Sequence, residues 1–344
     1  MLCVYRNHDG FIPWTTVGEY LLPCFSLEIK EYWNLKMTGG LCTRLTMSPP
    51  GEIYLITGSS SHILSLDPDD TKTERLWIRQ QDAYDSHVSC LTHYQSGFLV
   101  GFYSGELRYC TSDGTDLVLI EKNDNYKGIV RNIVIQDSNH FFVASNVLTF
   151  WENFEETKVV SFTSYATSLT LINRNLVAFI LDFGVKIQIY SLNPWKKITV
   201  LHSHMSAIMD LACDYRQDEN LDENHWSNIL VSGDWNGALR WWLDYSCIGH
   251  YYTNPMYCNP SIYSLAIYGS FCVAGTNDGT LLAWKVYCDG KFSLLDKRRI
   301  SENCISWLKF NKKGGLVASS DNCVYHLKGF HDIFYVPCQV QESL

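Results

Sequence analysis

The sequence predicts an all-β protein, a seven-bladed propeller of four-stranded antiparallel blades. Three observations carry that expectation. An apolar strand-like run recurs about every forty residues, beginning near residues 44, 87, 130, 167, 208, 262 and 304. Each recurrence is followed by two short runs joined by a turn, and most of them by a fourth run. The aromatic load is heavy, with 11 Trp, 21 Tyr and 16 Phe in 344 residues, which suits pleated surfaces packed on both sides. Four short strands repeated around a ring leave only short edges.

The elements follow in order. The first strands of the seven units are expected at 44–47, 87–93, 130–135, 167–172, 208–213, 262–267 and 304–310. The clearest central pairs span Ile229 to Trp242 and Phe271 to Trp284. Their turns contain Asn236-Gly237 and Asp278-Gly279, read as two-residue hairpin signals because such turns need positive φ. Fourth strands are expected at 75–79, 117–121, 157–162, 197–201 and 293–296. The chain divides into an N-terminal segment (1–40), the ring (41–330) and a tail (331–344). A ring must hide its first and last blade edges. Strand candidates at 2–6 and 333–339 are each placed to pair with 323–328. Residues 11–40, rich in Trp, Tyr and Leu, either pack under the ring or dock a partner.

Charge and motifs limit the function. Lys and Arg number 27 against 36 Asp and Glu, a net charge of −9, which excludes a bulk electrostatic nucleic-acid binder. Lys297-Arg298-Arg299 and Lys312-Lys313 read as solvated faces, so nucleic acid contact is expected to be weak or indirect. No apolar run reaches the ~18 residues of a membrane helix, and no basic-then-apolar leader opens the sequence. The 13 Cys are scattered without a C-x-x-C pair, so they read as buried reduced thiols in the cytosol or nucleus. Phosphate-loop, serine-elbow and zinc-protease motifs are absent, and no cofactor is expected. His202 and His204 share a strand face, but no third metal ligand accompanies them. Asp67, Asp69 and Asp70 lack the spacing of a Ca²⁺ loop.

On the repeat, its aromatic strand ends and its turn residues, the chain resembles the WD40-repeat family over roughly residues 40–330. Departures are plain. Trp242-Leu243, Trp284-Lys285 and Trp151-Glu152 stand where the family has Trp-Asp, and Ser203-His204 stands for Gly-His. The resemblance implies a structural tetrad in unit five: His204, Ser232, Asn236 in the Asp place, and Trp242. Unit six keeps Asp278 and Trp284 but has Ala274 where Ser is usual.

The resemblance further implies a rigid platform for other proteins with no chemistry of its own. The expected role is a scaffold or adaptor subunit of an intracellular multiprotein complex, the ring itself monomeric. A ubiquitin-ligase substrate receptor and a propeller hydrolase are the alternatives. Candidate partner-binding residues are His87 and Trp235 on the top rim, then Leu221 and Trp226 in the acidic insertion 214–228. Tyr251, Tyr252 and Tyr257 in the link 247–261 complete the set.

Overall fold

The computed structural model describes residues 28–34, 42–47, 53–57, 62–66, 73–77, 88–111, 117–121, 128–162, 164–214, 229–253, 260–286, 291–310, 315–321 and 323–328. They form seven four-stranded antiparallel sheets. The strand Glu28–Asn34 (β1) comes first in the chain. Blade 1 then holds Cys42–Met47 (β2), Ile53–Thr57 (β3), His62–Leu66 (β4) and Thr73–Trp77 (β5). Blade 2 holds Val88–Tyr94 (β6), Gly97–Phe102 (β7), Leu107–Thr111 (β8) and Leu117–Glu121 (β9). Blade 3 holds Asn132–Ile135 (β10), His140–Ala144 (β11), Val147–Glu152 (β12) and Glu155–Ser161 (β13). Blade 4 holds Ala166–Asn173 (β14), Leu176–Leu181 (β15), Lys186–Ser191 (β16) and Lys196–His202 (β17). Blade 5 holds Ile208–Cys213 (β18), Leu230–Asp234 (β19), Ala238–Leu243 (β20) and Ser246–Tyr252 (β21). Blade 6 holds Ile262–Tyr268 (β22), Phe271–Thr276 (β23), Thr280–Val286 (β24) and Phe292–Arg299 (β25). Blade 7 holds Ile305–Phe310 (β26), Leu316–Ser320 (β27) and Cys323–Lys328 (β28).

Its fourth strand is β1, which runs antiparallel to β28 from Glu28 opposite Lys328 to Asn34 opposite Cys323. The sequence placed this closure at 2–6 or 333–339. Both lie outside the described residues, and the position beside 323–328 is filled from within the segment 11–40. That stretch, Glu28 to Asn34, is rich in β-favouring aromatics but lacks the turn and partner strand that mark the repeats, so periodicity alone does not find it. The first strands of successive blades contact one another in order, and β26 returns to β2.

Cores lie between blades, because side chains two apart along a strand share a face. Val231 and Trp241 of blade 5 pack with Leu265 and Trp284 of blade 6. Their neighbours Leu230 and Trp242 turn the other way, onto Ile187 and Ile189 of blade 4. The turns differ from expectation. Gly237 and Gly279 do take positive φ (76° and 81°), but Asn236 and Asp278 do not. Each turn is a three-residue loop whose glycine donates back to the strand end, Gly237 to Asp234 O at 3.1 Å and Gly279 to Thr276 O at 3.3 Å. The two-residue turns with both φ positive are Asn153-Phe154 and Asp244-Tyr245 instead.

Polar side chains on the inner strands bind successive blades from blade 1 through blade 7. His93 N–H donates to Thr46 Oγ1 at 3.2 Å, and Ser89 Oγ to Val130 O at 2.5 Å. Asn132 Nδ2 donates to Leu169 O at 3.3 Å. Ser168 Oγ donates to Asp210 Oδ1 at 3.2 Å, and Leu265 N–H to Asp210 Oδ2 at 2.8 Å. Ser264 Oγ donates to Ile305 O at 2.7 Å. Asp210 therefore joins blades 4, 5 and 6. Asp210→Ala removes the acceptor of two backbone N–H groups, Leu211 and Leu265, and of the Ser168 hydroxyl, and is expected to lower unfolding free energy by about 2–3 kcal/mol in a denaturant melt. A change under about 0.5 kcal/mol is the contrary result.

Candidate interaction surface

The relay expected in blade 5 is built, with one change of member. Trp242 Nε1–H donates to Ser232 Oγ at 2.8 Å. Ser232 Oγ lies 2.6 Å from His204 Nε2, and His204 Nδ1 lies 2.8 Å from Asp234 Oδ2. A neutral imidazole with its proton on Nδ1 gives every group one partner, so the chain of donors runs from indole to hydroxyl to imidazole to carboxylate. All three polar residues of this chain, His204, Ser232 and Asp234, are buried. The carboxylate is Asp234, where the sequence reading placed Asn236. Asn236 is exposed, and its N–H is one of two that Asp234 Oδ1 caps, at 3.0 Å, with Ala238 N–H at 2.8 Å. One carboxylate thus serves both the relay and the turn, and an amide two residues later has no need to reach inward.

Other blades solve the indole differently. In blade 3 the donor Trp151 finds Thr149 Oγ1 on its own strand at 2.7 Å, because Val143 occupies the position across from Thr149. In blade 6 Ala274 stands across from Leu282 as Ser232 stands across from Arg240, and the buried Trp284 Nε1 has no hydrogen-bond partner. Asp278 turns to its own loop. Although burial works against its charge, bonds from Thr276 and Thr280 hold its carboxyl below the usual range.

A row of apolar side chains lies on the rim above this relay, the face that bears the turns joining second and third strands. Tyr165 leads into β14, and its ring meets Phe183 at 6.3 Å. Arg131 sits over the Tyr165 ring at 4.1 Å, and a hydrogen bond with Asp182 raises the Tyr165 pKa. Asp182 N–H donates to Tyr165 O, Ile208 N–H to Gly184 O, and Trp235 N–H to Ala207 O. These bonds chain the turn of blade 4 to the turn of blade 5, and Trp235 then meets Tyr263 of blade 6 at 5.7 Å. Along this path Met205 is 95% exposed, Trp235 48%, Phe183 44% and Val185 38%. Asp182 and Phe183 both hold positive φ, 52° and 46°. A left-handed backbone costs a bulky residue about 1–2 kcal/mol. Phe154, in the same conformation, recovers that cost by packing on Tyr94 and Phe141; Phe183 meets Tyr165 alone among the described rings and stays half-exposed.

The predicted site residues divide. Trp235 belongs to the row. Tyr251 packs edge-on against Trp284 at 5.2 Å, between blades 5 and 6. Tyr252 is exposed on β21, and its hydroxyl accepts from Arg240 at 3.4 Å. The two tyrosines end the outer strand β21. His87, Leu221, Trp226 and Tyr257 lie outside the described residues, as do Lys312-Lys313 and Asp67, Asp69 and Asp70. Arg299 is engaged locally, donating to Asp278 O and Ser301 O at 3.0 and 3.1 Å. His204 is committed to the relay, and among the described residues no group of three His, Cys, Asp or Glu is placed to hold a metal. The sequence reading missed Phe183, Val185 and Met205. The available signal was an aromatic at a turn position that favours Gly or Asn, in Asp182-Phe183-Gly184.

Comparison with known proteins gives the fold. No family model and no curated protein sequence matches the chain. Among solved structures, the chain resembles one described as RRP9 WD40 repeats, with TM-score 0.73 and 12% identity over 88% of this chain and 100% of that one. It also resembles a chain of the mitotic checkpoint complex, with TM-score 0.71 and 10% identity over 88% and 95%. The fold is a β-propeller like that of WD40-repeat proteins.

Melts of three variants test the relay. Asp234→Ala is expected to cost about 2–4 kcal/mol, against less than about 0.5 for Asn236→Ala; equal costs contradict the assignment. Ala274→Ser offers Trp284 an acceptor and is expected to add about 0.5–1 kcal/mol. A loss of stability in that variant shows that the indole is better left in an apolar site.

Proposed function

We propose that this chain is a non-enzymatic scaffold or adaptor subunit of an intracellular multiprotein complex, and that it docks a protein partner on the rim of blades 4 to 6. The observation that carries the reading is the set of exposed residues Phe183, Val185, Met205 and Trp235, on loops that backbone hydrogen bonds at Asp182, Gly184, Ala207 and Trp235 join. Large apolar groups clustered on a rigid rim bury much area at low entropic cost when a partner covers them. Phe183 strengthens the case, since a left-handed backbone there holds out an aromatic that is half-exposed and meets Tyr165 edge-on. The intracellular setting is supported by the free thiols of Cys90, Cys110, Cys213, Cys247, Cys272, Cys304 and Cys323. Burial pushes the Cys304 thiol up to about 12 and raises Cys213 and Cys272 as well, which suits thiols that serve as small apolar groups. A chain of similar fold lies in the mitotic checkpoint complex, a multiprotein assembly, in keeping with a role as a subunit.

The test is affinity purification of the tagged chain at physiological salt, with mass spectrometry of the co-purifying proteins. The double variant Met205→Ser, Trp235→Ala is expected to lose its principal partner at least about tenfold with an unchanged melt. Phe183→Gly is expected to weaken the same partner while matching or exceeding wild-type stability, because glycine releases the left-handed strain. Recovery of the same partners in equal yield from both variants contradicts the rim assignment.

A further inference from the structure

One cation on the rim has no counterion. Arg131 stands just before β10, and its backbone N–H donates to Ala144 O at 2.8 Å, which fixes where its side chain starts. Its guanidinium lies over the Tyr165 ring, 4.1 Å from the ring centre. Other arginines use their donors within the ring. Arg108 pairs with Glu106 at 2.8 Å, Arg240 donates to the Tyr252 hydroxyl, and Arg299 donates to two carbonyls. In Arg131 the Nε–H is buried without a hydrogen-bond partner, while the two Nη groups reach the surface. Among the described residues, no acceptor or carboxylate meets them. Asp182, on the neighbouring turn, accepts from the Tyr165 hydroxyl instead. Stacking on an aromatic face holds a guanidinium still, so that little freedom is lost when its planar fork pairs with an acceptor.

We propose that Arg131 is the anchor for a carboxylate of the protein partner, and that the docked segment carries this Asp or Glu close in sequence to the apolar side chain that covers Phe183. The inference rests on the rim of blades 4 to 6 being the docking face, and adds the chemistry of what docks there. Tyr165 sets the spacing. Its ring centre is 4.1 Å from the Arg131 guanidinium and 6.3 Å from the Phe183 ring, so cation and aromatic are at most about 10 Å apart. An extended chain covers that distance in about three residues. A carboxylate matches the guanidinium in charge and in planar shape. A phosphate group carries nearly two charges at neutral pH and has one guanidinium here to offset them, with Asp182 beside it. The chain's net charge of −9 gives no general attraction for acidic segments, so a preference for one has to come from a local cation.

A phage-displayed library of random peptides, selected on the purified full chain, supplies the probe. The recovered peptides are expected to share an Asp or Glu within about three positions of Leu, Met, Phe or Trp. One of them is then synthesised with its acidic residue kept, changed to the amide, or replaced by phosphoserine, and each form is titrated by fluorescence anisotropy. The amide form is expected to bind the wild type about tenfold more weakly than the acidic form, and Arg131→Gln is expected to bind the two equally. Arg131→Lys keeps the charge but loses the fork, and is expected to fall between. Both variants are expected to melt as the wild type does. An amide penalty that survives in Arg131→Gln overturns the proposal, as does a phosphoserine form that binds more tightly than the acidic one. A selection that returns no acidic and apolar pair also overturns it. Binding that Phe183→Gly and the double variant Met205→Ser, Trp235→Ala leave unchanged overturns the rim reading, and the proposal with it. Binding lost in those variants but indifferent to Arg131 overturns the carboxylate site alone.

Discussion

A sheet packed on both sides must divide its side chains between two neighbours, and this alternation governs the whole ring. In blade 5, Val231 and Trp241 go to blade 6 while Leu230 and Trp242 go to blade 4. Among the described residues, apolar clusters join blades 2 and 3, 3 and 4, 4 and 5, 5 and 6, and 6 and 7. Each blade is stable only because another stands on either side, so the circle has to close. Closure falls to β1, which hands the first described strand of the chain to its last three. The polar side chains of the inner strands reinforce the same circuit, with Asp210 spanning three blades.

Hydrogen bonding inside the blades is uneven, and the unevenness follows from single residues. Blade 5 has a complete relay in which Asp234 holds both His204 and its own turn. Blade 3 satisfies its indole from Thr149, on the same strand. Blade 6 leaves the indole of Trp284 unpaired inside an apolar cluster. The family letters are therefore dispensable one at a time, provided that packing between blades is kept. This explains how solved propellers at 10% and 12% identity still superpose on most of the chain.

Much of the architecture was legible in the sequence, because a period near forty reports strand order whatever letters fill it. All seven first strands lie within a few residues of where the period puts them. Closure was not legible, since Glu28–Asn34 has no repeat partner and pairs with Cys323–Lys328 from the far end of the sequence. The Asn236 assignment failed for a local reason. Aligning letters places the carboxylate in the turn, whereas the backbone gives Asp234, at the strand end, the shorter reach to His204. The rim row was only partly legible. Trp235 is conspicuous in its turn, but Phe183 and Met205 become a surface only when blades 4 and 5 stand side by side.

A rim can act as a platform only if the ring beneath it is closed and stiff. Hydrogen exchange read by mass spectrometry over residues 28–34 measures this directly. If β1 closes the ring, its amides exchange as slowly as those of Cys323–Lys328 and open only when the whole ring opens. Exchange of residues 28–34 at the rate of unstructured chain, with the rest of the ring still protected, contradicts the account.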